Sequence, residues 1–229
     1  EINTCIACNQ ACLDRTFKGQ VAGCVVNPRA GRETEFTKAA PQGLEGRYAV
    51  VGGGPAGMST ALELAKRGAT VDLYEAQEKL GGQFLLAHQI PGKEEFAETL
   101  RYYQHELDRH GVRIHLGTRF ESTDVGAAQD KGDPFKAVAW CAGIRPRVPS
   151  IPGNDLPIAV PYDKVLTGEV EVGQRVALIG AGGIGFDVAD FLSHPHGEET
   201  VDGFRDPCFR SQGVNDFWGA CLPNTCSEK

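Results

Sequence analysis

The feature that most constrains the fold of this chain is a glycine-rich turn with the spacing Gly52-x-Gly54-x-x-Gly57. The apolar run 48–51 before it predicts a buried strand, and residues 58–65 after it carry apolar side chains at helical spacing. An alternating segment, 70–74, then predicts a second strand that finishes at Glu75. This order of strand, glycine turn, helix and strand predicts a βαβ unit of about 30 residues.

Each residue of this turn has a physical task if a dinucleotide binds there. The first glycine permits the tight turn, the second lets a pyrophosphate approach the backbone, and the third lets the helix lie close to the strand. The helix N-terminus attracts the anion. Glu75 can accept hydrogen bonds from both ribose hydroxyls and would repel a 2′-phosphate, so the site suits FAD or NAD. The following Gly81-Gly82-Gln83 favours FAD, because the backbone there can approach a flavin pyrophosphate and ribityl chain closely.

A second turn with the same spacing comprises Gly180, Gly182 and Gly185. It follows a predicted strand, 175–179, and precedes a predicted helix, 186–192, so the chain repeats one fold type. This turn would hold a nicotinamide dinucleotide; the alternative is a vestigial turn that binds nothing or only ADP. Together the two turns predict an α/β, Rossmann-like fold with two dinucleotide-binding domains, of which this chain contains only the start of the second.

Four of the eight cysteines fall within the first 24 residues, with the spacing Cys5-x2-Cys8-x3-Cys12-x11-Cys24. Four thiolates close either an iron–sulfur or a zinc site. Three close ligands with a fourth returning from a loop favour a [4Fe–4S] cluster over zinc, and unrelated buried cysteines are the third possibility. With no signal peptide before them, the thiols predict a reducing, cytoplasmic compartment. Four further cysteines show no evident ligand set: Cys141, Cys208, Cys221 and Cys226.

Composition excludes several classes of protein. The chain has 229 residues, of which 41% are hydrophobic, so it can bury one large core or two small ones and is not a disordered tail. It contains no run of about 18 apolar residues, which argues against a membrane span. Its net charge of −7 argues against a nucleic-acid partner. The histidines at 88, 105, 110 and 115 are expected to be solvated on helix or strand surfaces.

The remaining patterns predict a division into three regions. A helix with one buried face is predicted over 93–110, and strands are predicted over 113–120 and 137–141. A Pro- and Gly-rich stretch, 148–161, suits a crossover between domains. The predicted regions are an iron–sulfur lobe and linker over 1–45, an FAD-binding domain over 46–160, and a truncated NAD(P)-binding domain over 161–229.

Several segments resemble bacterial NADPH-dependent 2,4-dienoyl-CoA reductases. This family belongs to the NADH:flavin oxidoreductase group related to old yellow enzyme and trimethylamine dehydrogenase. The resemblance covers residues 1 to about 195 and lies in Asn3–Asp14, Cys24–Arg29, Gly81–Phe96 and Gly182–Asp187. It implies a longer enzyme in which a TIM barrel with FMN and an acyl-CoA site precedes the cluster, the FAD domain and the NADPH domain.

The resemblance also implies an electron route and a set of site residues. Electrons would pass from NADPH to FAD, through the [4Fe–4S] cluster, to FMN in the barrel, where a 2,4-dienoyl-CoA of unsaturated fatty acid β-oxidation is reduced. The catalytic Tyr and His would belong to the barrel, so no catalytic residue is expected in this chain. The resemblance assigns the cluster ligands to Cys5, Cys8, Cys12 and Cys24. It assigns FAD contacts to Ala56, Glu75, Gln83, Lys93 and the backbone of Phe120.

Departures from the family pattern and rival functions keep alternatives open. Trp140-Cys141-Ala142-Gly143 replaces smaller residues, and the chain from Pro195 onward matches no part of the family. Lys93 opens its predicted helix, where a cation opposes the dipole, so either an anion binds nearby or the side chain is solvated. The same architecture could serve an enoate reductase or an amine dehydrogenase. A zinc-stabilised nucleotide-binding module without a redox role is the rival from another class.

Overall fold

The computed structural model describes residues 2–36 and 43–194. The chain divides into two compact units. The first unit comprises the chain up to Leu85 together with Glu95–Ile144, and the second comprises Leu86–Glu94 together with the chain from Arg145 onward. The tail that carries Cys208, Cys221 and Cys226 lies outside the described residues. Within the described ranges, no helix combines the length and the hydrophobicity that crossing a membrane requires.

The first unit is built on a four-stranded parallel sheet in the order β3-β2-β1-β4. The strands are β1 (Arg47–Val51), β2 (Thr70–Tyr74), β3 (Arg113–His115) and β4 (Phe135–Trp140). The helices of the described chain are α1 (Leu13–Phe17), α2 (Pro55–Lys66), α3 (Phe84–Ala87), α4 (Glu95–Arg109), α5 (Ser122–Asp130), α6 (Tyr162–Leu166) and α7 (Gly183–Ser193). Strand β1, helix α2 and strand β2 form the predicted βαβ unit, and the Rossmann-like α/β fold class is confirmed.

The core of the first unit lies on the face of the sheet that α2 and α4 cover. Val50, Val71 and Leu73 point to this face and are almost completely buried. They contact Met58 from α2 and Leu107 from α4, which are also fully buried. The helical spacing of the apolar residues therefore determines which sides of α2 and α4 face the strands. Burial of these side chains holds the carboxyl ends of β1 and β2 next to the start of α2.

The second unit has a small core of its own. Ile90, Leu166 and Val188 are its buried residues, contributed by a loop, by α6 and by α7. The predicted strand over 175–179 is wrong, because that segment forms no strand in the structure. A strand exists only by pairing, and this segment pairs with no other strand in the described part of the chain. The predicted strand over 113–120 is also too long, since β3 ends at His115 and the chain then turns.

Candidate cofactor-binding site

The glycine-rich turn lies where β1 ends and α2 begins. Gly52 has a φ of +109°, a backbone conformation that favours glycine, and its amide donates to the carbonyl of Tyr74 at 2.8 Å. Gly57 lies so close to the turn that a Cβ there would overlap the carbonyl oxygen of Gly52. Gly54 is the N-cap of α2 and has no side chain to satisfy the first free amides of the helix. Those amides are therefore available to an anion.

A second loop faces the turn from the other side. The amide of Gly81 donates to the carbonyl of Gly53 at 2.8 Å, and a Cβ on Gly82 would lie 3.0 Å from the Cα of Gly54. Gln83 follows this loop and is exposed, as is Ala56 on the first turn of α2. The backbones of Gly54 and Gly82 thus lie in direct contact, and neither residue places a side chain over the turn. This cradle fits a pyrophosphate that is held by backbone amides.

The carboxylate of Glu75 closes the turn at the end of β2. Its Oε2 accepts from the amide of Gly53 at 2.6 Å, and its Oε1 accepts from the amide of Gln77 at 2.8 Å. These two bonds fix the carboxylate beside the glycine turn. A carboxylate offers about four acceptor positions, so each oxygen can still accept a hydrogen bond from a ribose hydroxyl. The donors and acceptors present therefore fit the sugar and pyrophosphate of a dinucleotide.

The structure places the last two predicted FAD contacts in different units. Phe120 lies in the first unit, is 6% exposed, and has its ring centroid 4.7 Å from that of Tyr74. Lys93 lies in the second unit, and it precedes α4 rather than opening it, since the helix begins at Glu95. The anion beside Lys93 is a carboxylate of the chain, because its Nζ donates to Asp187 Oδ1 at 2.6 Å.

The second glycine turn repeats the local geometry of the first within the second unit. Gly180 has a φ of +115°, and a Cβ on Gly185 would overlap the carbonyl oxygen of Gly180. Gly182 is the N-cap of α7 and offers no capping side chain. The turn and the helix start are exposed, so the amides that could bind a phosphate are open to solvent.

The four N-terminal cysteines belong to a lobe whose two segments are tied together. The side-chain amide of Asn3 donates to the carbonyl of Val26 at 3.1 Å, and the amide of Gly23 donates to the carbonyl of Ala11 at 2.7 Å. These bonds flank Cys5, Cys12 and Cys24, so the return loop lies beside the segment that carries the other thiols. Cys12 is also the N-cap of α1.

The backbone between the first cysteines is unusual. Ala7 and Asn9 have φ values of +53° and +56°, and they are the only residues besides glycines with positive φ in the described chain. The amide of Ala7 donates to Cys5 Sγ at 3.4 Å. All five described cysteines are free thiols. Within residues 2–36 and 43–194, no three His, Cys, Asp or Glu side chains converge closely enough to hold a single metal ion. A donor set of four thiols fits a cluster that spreads them over four irons.

Sequence reasoning missed a buried ionic network beside this site. Asp72 on β2 is 1% exposed and accepts hydrogen bonds from Arg47 Nε at 2.6 Å, Arg113 Nη2 at 2.7 Å and His115 Nε2 at 2.8 Å. Burial alone would raise the pKa of Asp72. The hydrogen bonds of His115 and Arg47 and the charge of Arg113 outweigh that effect and hold the pKa below its ordinary value. His115 lies on the strand surface with its side chain 38% exposed, in line with the expectation of a solvated histidine, but the sequence did not predict its pairing with Asp72.

The signal for this network was present in the alternation of β2. Asp72 is a charged residue between two apolar residues of a strand, so its side chain must lie on the opposite face from Val71 and Leu73. Arg113 on β3 is paired with Asp72, and Arg47 and His115 each lie two residues from the position paired with Asp72, on the same face of the sheet. They could be identified only once the order of the strands was known.

Comparison with known proteins agrees with this geometry. Residues 46–206 match the pyridine nucleotide-disulphide oxidoreductase family. Because this match covers more than half of the chain, the chain belongs to that family of oxidoreductases. Membership implies binding of FAD and of a pyridine nucleotide, which the two glycine turns and Glu75 can accommodate.

The relatives are much longer proteins. A metal reductase of Desulforamulus reducens is 33% identical over 193 residues, which cover 84% of this chain and 29% of the relative. An NADH oxidase of Thermoanaerobacter brockii is 33% identical over 206 residues, which cover 88% of this chain and 31% of the relative. A solved structure of 2-naphthoyl-CoA reductase with 2-naphthoyl-CoA has a TM-score of 0.76 at 32% identity, covering 83% of this chain and 28% of that one. The chain therefore spans less than a third of the length of these relatives.

Proposed function

We propose that this chain is the electron-transfer part of a flavin- and iron–sulfur-dependent reductase. The electron route runs from NADPH through FAD and a [4Fe–4S] cluster to an FMN-containing barrel domain that reduces 2,4-dienoyl-CoA. The observation that carries the proposal is the glycine turn closed by Glu75, which lies in the same unit as the four-thiol lobe. The family match over residues 46–206 supports the nucleotide-binding part of it.

The residues of the first unit would bind and orient FAD. The free amides at the start of α2 and the backbone of Gly82 would hold the pyrophosphate, and Glu75 would accept from the adenosine ribose. When bound, FAD would accept an electron pair from the nicotinamide, and the cluster would pass electrons on one at a time. The chain's own task would be to fix both groups in place.

Cys5, Cys8, Cys12 and Cys24 would hold the cluster as thiolates. The hydrogen bonds from Asn3 to Val26 and from Gly23 to Ala11 hold the loop of Cys24 beside the segment that carries the other three cysteines. The positive φ values of Ala7 and Asn9 agree with a loop that wraps around a bound group, since such strain persists where the surroundings demand it. The proposal includes a reducing, cytoplasmic compartment, where clustered thiols stay available to bind iron.

The most specific parts of the proposal are the identity of the acyl-CoA substrate and that of the nucleotide that donates electrons. A relative solved with 2-naphthoyl-CoA makes a conjugated CoA thioester the favoured substrate class. NADPH follows from the resemblance, and the relative named as an NADH oxidase makes NADH the competing donor. Neither the barrel nor the ribose-reading strand of the second domain lies in the described residues. Substrate and donor must therefore be tested directly.

The test is anaerobic reconstitution of the chain with iron, sulfide and FAD, followed by a visible spectrum and by iron and sulfide analysis. We expect a yellow-brown protein with about four irons and four sulfides per chain. The donor is tested on the whole parent protein, because the ribose-reading strand lies outside the described residues. Addition of NADPH or NADH should bleach its flavin absorbance, and the faster of the two identifies the donor.

The controls separate the proposal from its rival. A colourless chain that retains zinc and ADP after reconstitution would support the zinc-stabilised nucleotide-binding module and overturn the redox role. A chain that binds FAD without iron would retain the flavoprotein assignment but exclude the cluster. Assay of the whole parent protein with a 2,4-dienoyl-CoA, an enoate and a secondary or tertiary amine would then decide the substrate class.

A further inference from the structure

A row of aromatic side chains lies on the face of the sheet opposite α2 and α4. The Phe120 ring centroid lies 4.7 Å from that of Tyr74 and 5.9 Å from that of Trp140, and the planes of the Phe120 and Trp140 rings are inclined at 70°. Phe135 closes the row, 6.0 Å from Phe120. Phe120 is 6% exposed, whereas Trp140 is 61% exposed. Trp140 is therefore the member of the row that offers an open aromatic face.

This open indole lies directly beside the dinucleotide turn. Trp140 is the last residue of β4 and pairs with Val51, the residue before Gly52. On the other side of β1, Val51 pairs with Tyr74, the residue before Glu75. The amide of Cys141 donates to the carbonyl of Val51 at 2.7 Å, which holds the end of β4 against the turn. Trp140 and Glu75 thus flank the turn at the same level, about two strand spacings or 10 Å apart.

We propose that Trp140 stacks on the adenine ring of the bound dinucleotide and so contributes to FAD affinity and selectivity. This inference rests on the proposed function, because it takes the ligand to be FAD with its ribose on Glu75. A purine attached to that ribose would lie near the carboxyl ends of the strands, where the exposed indole of Trp140 is available for stacking. Stacking of a base on an aromatic side chain needs no particular hydrogen bond, since every base has a π-face.

The surroundings of Trp140 make a purely structural role a poor explanation. A tryptophan that served only the core would be buried, because burial of its large apolar surface is what stabilises. Phe120 and Phe135 already fill the row beside it. An indole that contacts Phe120 at a steep angle and is 61% exposed is held in place and still has surface for a planar ligand.

The test uses nucleotide binding by the full chain after removal of flavin. The chain has two tryptophans, and a Trp218→Phe background leaves Trp140 as the single tryptophan, whose emission can be excited selectively over that of the tyrosines. We expect ADP and FAD to quench this fluorescence with saturation. In the same background, Trp140→Ala should raise the dissociation constants for ADP and FAD about 5- to 150-fold, the range that loss of base–aromatic stacking gives. Trp140→Phe should restore most of the affinity. Calorimetry gives these constants for variants without a tryptophan signal.

Two controls separate stacking from a general loss of structure. FMN lacks adenosine, so Trp140→Ala should not change its weaker binding, and Phe17→Ala removes an aromatic side chain that is 84% exposed in the thiol lobe and should leave ADP affinity unchanged. Equal affinity for ADP in Trp140→Ala and the unmodified chain would overturn the inference while leaving the proposed function intact. Failure of the unmodified chain to bind either FAD or ADP would overturn both.

Discussion

Replacement of Gly57, the third glycine of the turn, by alanine should destabilise the protein. The loss of close packing between α2 and β1 should exceed the gain in helix propensity. A Cβ at Gly57 would overlap the carbonyl oxygen of Gly52, so α2 must move away from β1 to make room. Overpacking of this kind costs about 3 kcal/mol at the upper end of its usual range, and alanine returns at most about 1 kcal/mol of helix propensity. The net loss is about 2 kcal/mol, which lowers the melting temperature of a chain of this size by about 4–8 °C.

Gly126 provides the matched control. It also lies inside a helix, α5, but a Cβ there would meet nothing within 4 Å. Gly126→Ala should therefore raise the free energy of unfolding by about 0.5–1 kcal/mol. Thermal and urea unfolding of the two variants should shift in opposite directions, and Gly57→Ala should also lose FAD. A Gly57→Ala protein as stable as the Gly126→Ala protein would show that α2 does not contact the turn as closely as the structure describes.

Three further predictions concern charged and thiol groups. Asp72→Asn should lower the free energy of unfolding by about 1.5–3 kcal/mol at pH 7, the usual contribution of hydrogen bonds to a charged group. Because the pKa of Asp72 is held below 3.8, its contribution is complete above that pH and is lost as the pH falls through the native pKa, so urea unfolding in acid should show the two proteins converging. Glu75→Ala should weaken FAD binding by about 1–3 kcal/mol, and flavin retention equal to the unmodified chain would contradict the ribose role. Cys12→Ser should abolish cluster binding while FAD remains partly bound; full iron content in this variant would refute the ligand assignment.

The first βαβ unit could be predicted from the sequence because its signals are local. The apolar run of β1, the glycine spacing and the helical pattern of α2 each lie within a few residues, and they agree with one another. The bounds of β2, Thr70–Tyr74, follow from alternation alone. The amphipathic pattern predicted α4 for the same reason, although the helix starts at Glu95 and ends at Arg109, inside the predicted range.

The parts that sequence reasoning missed depend on contacts between distant residues. Asp72 gains its partners from β1 and β3, which no local pattern connects to it. Lys93 finds Asp187 at a separation of 94 residues, so its anion could be sought only in a ligand. Helix α5 has three small residues and a glycine among its nine, which gives no amphipathic face to detect, and its start is fixed by the capping box of Glu121 and Asp124.

The segment Leu86–Glu94 has a consequence for dissecting this protein. It is flanked on both sides by first-unit sequence, yet Ile90 is buried against Leu166 and Val188, and Lys93 pairs with Asp187. A fragment that ends at Ile144 would retain these nine residues but lack Leu166, Val188 and Asp187. Ile90, which is buried in the structure, would then be exposed to solvent. The first unit therefore cannot be isolated by truncation alone. Producing it separately would also require replacing Leu86–Glu94 by a polar linker.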